Sequence, residues 1–208
     1  MADLTLYTNP MSRGRIARWA LEEIGADYDV KVIAYGPDMK GPDYLAINPM
    51  GKVPALKHGD TIVTECAAIC AYLADAFPAA AIAPVLSNRG DYYRWMFFAA
   101  GPLEAAVANR NLGFEVPSDK EGMVGYGSYT LVLNALEQVV SKSQYIAGDQ
   151  FTAADIYIGA HLMWGMQFNS IERRPAFEAY VKNLVNRAAY KRANELDDAL
   201  AAQTQKAS

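Results

Sequence analysis

The sequence predicts a small mixed α/β unit followed by an all-α unit. Two observations carry that prediction. Strand and helix patterns alternate as β-α-β and then β-β-α over the first eighty residues, and after Asn88 the strand signals vanish. A chain of 208 residues has room for two cores of about 100 residues each.

The elements follow in order. Leu4-Thr5-Leu6-Tyr7 alternates with period two until Asn9-Pro10 breaks it. From Ser12 the pattern changes: Ile16, Ala20 and Ile24 recur every four residues, and Gly25 closes a helix. Tyr28, Val30 and Val32 alternate as a second strand. Gly36 to Pro49 is rich in Gly, Pro and Asp and reads as loop with a short helix around Tyr44. Val53–Lys57 and Thr61–Thr64 form a hairpin around His58-Gly59-Asp60, and Glu65–Phe77 is a helix stopped by Pro78. A β-α-β unit pairs its strands in parallel and a hairpin adds antiparallel ones, so the sheet is mixed. Ala79 to Asn88 serves as a linker. Helices are then expected over Tyr92–Ala108, kinked or ended by Pro102, and over Met123–Val140, Thr152–Phe168 and Pro175–Ala202. Domains are therefore expected at 1–80 and 88–208. Thr152 and Asp155 have capping-box spacing, with Phe151 and Ile156 spaced as a hydrophobic staple.

Composition excludes several function classes. The apolar fraction of 52% argues against disorder. With 19 basic and 23 acidic residues, net charge −4, no basic field awaits a nucleic acid. Cys66 and Cys70, one helical turn apart, are too few for a disulfide scaffold or a thiolate metal cage, and two histidines add little, so no metal is expected. No apolar run reaches the ~20 residues of a membrane span, and the opening residues lack a signal-peptide pattern. The expectation is a cytoplasmic protein with no membrane partner.

Two segments invite chemistry. Asn9-Pro10-Met11-Ser12-Arg13-Gly14-Arg15 joins the first strand to the first helix. Ser12 there is either a helix cap or, with the helix N-terminus and two arginines, part of a cradle for an anionic atom. Asn48-Pro49-Met50-Gly51-Lys52-Val53-Pro54-Ala55-Leu56 precedes Thr64-Glu65-Cys66 at a second helix start. Glu65 either complements the helix dipole or, with the free N–H groups beside it, grips both charges of an amino-acid end.

Together with Phe151-Thr152-Ala153-Ala154-Asp155 in the helical half, these motifs resemble the glutathione S-transferase family over essentially the whole chain. The resemblance implies a thioredoxin-like N-terminal domain that binds glutathione as co-substrate. An all-α C-terminal domain would supply the pocket for a small hydrophobic electrophile. It also implies a homodimer. By position, Val53 pairs its backbone with the cysteinyl part of glutathione, and the Val53-Pro54 bond is expected to be cis. Glu65 and Cys66 hold the γ-glutamyl end, with Lys52 near it or near the glycyl carboxylate. Cys66 stands where the family usually has Ser, so the backbone N–H survives and a hydroxyl bond does not.

The residue that activates the thiol remains open among Ser12, Asn9 or Thr8, and Tyr7, with Arg15 able to contribute. Lowering a thiol pKa from about 8.5 to ~6.5 requires about 2.7 kcal/mol. One hydrogen bond to a charged group supplies roughly 1.5–3 kcal/mol and a helix N-terminus roughly 0.3–1, so a single donor at a helix start suffices. The implied activity is attack of the thiolate on an electrophilic carbon, with peroxide reduction or isomerisation as variants. The alternative is a non-catalytic glutathione-binding or assembly protein of the same fold. Tyr92, Tyr93, Trp95, Phe97 and Phe98 exceed what one buried helix face holds, which leaves some for a cleft or a partner.

Overall fold

The computed structural model describes residues 3–206. It resolves into two compact units, one formed by the chain through Ile82 together with the segment from Asn186 onward, the other by Ala83–Val185.

The first unit opens with β1 (Leu4–Thr8), α1 (Gly14–Ile24) and β2 (Tyr28–Val32). Two short helical turns, α2 (Pro37–Lys40) and α3 (Pro42–Leu45), lead to the hairpin β3 (Ala55–His58) and β4 (Thr61–Thr64), followed by α4 (Cys66–Ala76). The sheet order is β2-β1-β3-β4, with β1 and β2 parallel and the other pairs antiparallel. This is the mixed sheet the patterns predict. Leu4 and Leu6 point into the core with Ile16, Ala17, Ala20 and Leu21 of α1 and Ile69, Cys70 and Leu73 of α4, all shielded from water. Gly25 ends α1 in the left-handed conformation, its N–H bonded to the Leu21 carbonyl at 3.1 Å. β2 exists as expected but has no buried face: it is an edge strand whose Val30 and Val32 stay partly exposed. Cys66 and Cys70 are both buried and unbridged.

In the second unit α5 (Gly90–Phe98) continues through a π-helical turn, Ala99–Leu103, into α6 (Glu104–Asn111). Pro102 therefore neither ends the helix nor leaves its missing N–H as a defect, because the wider turn has already displaced the regular bonding register. α7 (Tyr129–Val140) starts later than expected from Met123. Gly125 and Gly127, the latter at φ 63°, break the chain before Ser128, whose hydroxyl caps the helix by accepting the Leu131 N–H. α8 (Ala153–Gln167) is the core helix and α9 (Pro175–Leu184) packs on it. Asp155 lies fully buried and accepts from the N–H groups of Thr152 and Ile146 and from the hydroxyls of Thr152 and Tyr180, at 2.7–3.0 Å. The capping box is thus the hub of a satisfied polar network. Tyr92 and Trp95 enter the core, while Tyr93 and Phe97 face outward, Phe97 at 72% exposure.

The expected helix Pro175–Ala202 is two helices. α9 stops at Leu184, and α10 (Ala188–Lys206) belongs to the first unit, so the expected boundaries of 1–80 and 88–208 do not describe the compact units. The reason is electrostatic as well as apolar. α10 and Arg187 just before it run along α1 with matched partners: Arg15 with Asp198, Arg18 with Asp197, Trp19 with Tyr190, Glu22 with Arg192 and Glu23 with Arg187. The order is antiparallel, basic half against acidic half. Among the described residues no helix is long and apolar enough to cross a membrane.

Candidate functional site

Strand register brings the predicted segments together. Tyr7 pairs with Ala55, and Ala55 pairs with Thr64. One step beyond that row, β1 runs into Thr8-Asn9, β3 is preceded by Val53-Pro54, and β4 runs into Glu65. Adjacent strands lie about 4.8 Å apart, so the three segments share one sheet end within roughly 10 Å. The N-termini of α1 and α4 open at this same end, each presenting a positive dipole end; in α1 the Gly14 N–H is held by Ser12 Oγ and the Arg15 and Ile16 N–H groups by the Ser12 and Arg13 carbonyls. A sulfur–oxygen contact joins the two helix starts: Cys66 Sγ lies 3.6 Å from the Arg13 carbonyl.

The loop before α1 is tightly specified. Asn9, buried, donates from Nδ2 to the Ile33 carbonyl at 3.0 Å and accepts the Met11 N–H through Oδ1. Ser12 Oγ donates to the Asn9 carbonyl at 2.7 Å and accepts the Gly14 N–H at 2.9 Å. The hydroxyl is therefore a cap in this state, and its single proton is in use. Gly14 is required here, since a Cβ would sit 1.8 Å from Thr8 Oγ1. Arg15 is placed differently from the expected direct helper of a thiolate: its guanidinium bonds the Pro10 carbonyl, Asn194 and Asp198. Tyr7 packs in a cluster with Tyr44, Met39 and Ala55.

The segment before β3 is fixed by Asn48 at its own head and by Tyr44 of α3, to neither of which the sequence assigns a role. The Lys52 carbonyl accepts both the Tyr44 hydroxyl and Asn48 Nδ2, each at 2.7 Å. In a planar trans peptide the N–H points opposite the C=O. The Val53 N–H is thereby turned outward, and no described residue accepts from it. Lys40 Nζ bonds the Met50 and Gly51 carbonyls, leaving the exposed Lys52 side chain as the free cation of the segment. The Val53-Pro54 bond is cis. Burial and the neighbouring Tyr7 push the Tyr44 hydroxyl up to about 12, which keeps it a donor. The sequence shows Asn48 only as the opening residue of this segment and Tyr44 only as an aromatic in a short helix. Their paired hold on one carbonyl needs the tertiary structure.

At the head of α4, Glu65 takes φ 65° and ψ 120°, a conformation non-glycine residues avoid. Its exposed carboxylate has no partner among the described residues. Such strain concentrates where a site over-determines the backbone. The assembled end of the sheet thus offers an outward N–H for an extended peptide, a carboxylate at the head of α4, and a hydroxyl loop at a helix start.

Residues 2–75 match the family described as Glutathione S-transferase, N-terminal domain, and residues 128–188 match Glutathione S-transferase, C-terminal domain. The chain is 33% identical over 167 residues to Glutathione S-transferase 3 of Zea mays, covering 74% of this chain and 75% of that relative. The chain belongs to the glutathione S-transferase family. It is also 27% identical to the glutathione S-transferase GstA of Escherichia coli O157:H7 over 206 residues, 96% of this chain and 98% of that one. A glutathione transferase homolog from Sulfitobacter, solved with bound glutathione, superimposes with a TM-score of 0.76 at 25% identity, covering 94% of this chain and 98% of that one. The fold is that of the glutathione S-transferases, a thioredoxin-like unit and a helical one.

Proposed function

We propose that this chain is a glutathione transferase that activates the thiol of glutathione for attack on small hydrophobic electrophiles. One observation carries the reading: a single sheet end holds the outward Val53 N–H, the strained and unpaired Glu65, and the Ser12 loop at the start of α1. Val53 pairs with the cysteinyl backbone of glutathione. Glu65 takes the γ-glutamyl ammonium, and the Cys66 N–H, first in α4, takes its carboxylate. Lys52 lies on the rim for a second carboxylate. Bound in this order, the thiol falls at the loop before α1, where its anion is favoured by the helix dipole and one donated hydrogen bond.

Ser12 is the first donor proposed. To reach a sulfur its hydroxyl must turn from the Asn9 carbonyl, exchanging one neutral hydrogen bond for one to an anion, which is the stronger. Asn9 is the competing donor, because only one of its two amide hydrogens is engaged, with Ile33. The thiolate then displaces a leaving group or adds to an activated carbon, and no general base is needed. Exposed apolar groups, Met50 and Ile62 in the first unit and Phe97 in the second, support the proposal of a homodimer. Two unbridged thiols suit a reducing compartment, and the cytoplasm is the location proposed. Retention on immobilised glutathione followed by turnover of a chromogenic aryl halide tests the reading. Retention without turnover would favour a non-catalytic binder, and neither would reject the site.

A further inference from the structure

The loop before α1 is not held by its own unit's sheet alone. Pro10 has no N–H, and its carbonyl accepts Arg15 Nε at 2.6 Å. The other end of the same guanidinium is fixed by α10: Nη2 reaches Asp198 at 2.7 Å and Nη1 reaches Asn194 at 3.4 Å. Asn194 is itself oriented, since its Nδ2 donates to the Tyr190 carbonyl at 2.8 Å and so presents Oδ1 to Arg15. Tyr190 in turn lies edge-on to Trp19 at 4.9 Å. Spacings of four residues place Tyr190, Asn194 and Asp198 on one stripe of α10. The planar fork of Arg15 thus spans from this stripe to the turn that carries Ser12, a span a lysine cannot bridge with one nitrogen.

We propose that Asn194 and Asp198 are positioning residues for the thiol-activating loop, acting through Arg15 on the Pro10 carbonyl. The proposal rests on the reading of that loop as the activating one. It assigns α10 a part in the site although its residues lie about 180 positions along the chain from Ser12. Loss of the stripe releases Arg15, lets the Pro10–Ser12 turn move, and displaces the donor from the sulfur. The ion pair of Glu23 with Arg187, at 2.6 Å, lies at the far end of α1 and fastens the start of α10 without touching the loop.

Amide exchange in the ligand-free chain provides one arm of the test. Asn194→Ala and Asp198→Ala together should speed exchange at the Ser12 and Gly14 amides at least tenfold, while Arg187→Gln leaves those two amides unchanged. Arg15→Lys, which leaves α10 intact, should reproduce the effect. The second arm uses glutathione: the double variant should raise the thiol pKa of the bound tripeptide by about one unit and lower kcat near neutral pH several-fold, with KM for glutathione little moved. Asp198→Glu in an otherwise native chain should keep the native pKa. Unchanged exchange at Ser12 and Gly14, or an equal effect from Arg187→Gln, would overturn the proposal. If the variants show the exchange response but the native chain binds no glutathione, the ligand reading is overturned and the restraint stands.

Discussion

Asp197 Oδ1 lies 2.9 Å from Arg18 Nε, and both side chains are closed off from solvent between α1 and α10. Burial lifts the Asp197 carboxyl above its ordinary range, and Arg18 draws it part of the way back. With a raised folded value, its contribution to stability is present at low pH and declines as pH rises through that value, so this carboxylate does not drive acid unfolding. Removing one partner strands the other. Asp197→Ala should cost about 3–5 kcal/mol, and Arg18→Met with Asp197→Leu should recover most of the loss. Denaturant midpoints of the three chains check this, and a double variant as unstable as the single one would contradict it.

Tyr28 and Tyr44 should ionise late. Burial and a hydrogen bond to Glu22 push Tyr28 up to about 12, and burial with the nearby Tyr7 does the same for Tyr44. Their ordinary value is about 10, so the folded chain holds these protons where the unfolded chain releases them. Stability is unaffected below pH ~10 and falls as pH climbs through about 12. Ultraviolet titration of the phenolates should show a late step that shrinks in Tyr28→Phe and again in Tyr44→Phe.

Gly14→Ala should lower stability by about 1–3 kcal/mol, because the new methyl meets Thr8 Oγ1 at 1.8 Å. Thr8→Ala in the same chain removes that oxygen and should restore part of the loss. A double-mutant cycle that closes additively would show that the two positions do not collide.

Glu65 sets stability against binding. Its φ of 65° carries strain of about 1–3 kcal/mol that glycine escapes and alanine keeps. Glu65→Gly should therefore be at least as stable as Glu65→Ala by thermal unfolding. Both should weaken glutathione by about 2 kcal/mol through loss of one charged hydrogen bond. Calorimetry that finds an unaltered dissociation constant removes Glu65 from the site.

Ser12→Ala separates donor from cap. If the hydroxyl serves the sulfur, the thiol pKa of bound glutathione should rise by one to two units, about 1.4–2.7 kcal/mol. Conjugation near neutral pH should slow, partly offset by the higher nucleophilicity of the less acidic thiolate. If the hydroxyl only caps Gly14, the chain loses about 0.5–2 kcal/mol of local stability and the thiolate titration is unshifted, which would move the role to Asn9.

Local rules explain what was legible from residues alone. Gly59-Asp60 sets the hairpin and Gly25 the end of α1, and the strand-to-helix order then brings Ser12, Val53 and Glu65 to one sheet end. Asp155 was readable as a cap because its partner Thr152 is three residues away. The misses depend on distant partners. Arg15 reads as a loop cation until Asp198 is beside it, and Val185–Arg187 has no Gly or Pro to announce that a helix changes units there. Pro102 reads as a break because a π-helical turn leaves no composition signal.

The membership of α10 in the first unit has a consequence for synthesis. The face of α1 that carries Arg18, Trp19 and Glu23 leaves the ribosome well over a hundred residues ahead of Asp197, Tyr190 and Arg187. Until the final helix emerges, a buried-type arginine and an indole stand in water without their counterparts, so the sheet unit waits half-finished while residues 83–185 can already collapse. A ribosome stalled before residue 188 would then carry a protease-sensitive nascent N-terminal segment, and one stalled with the whole chain outside the tunnel would not.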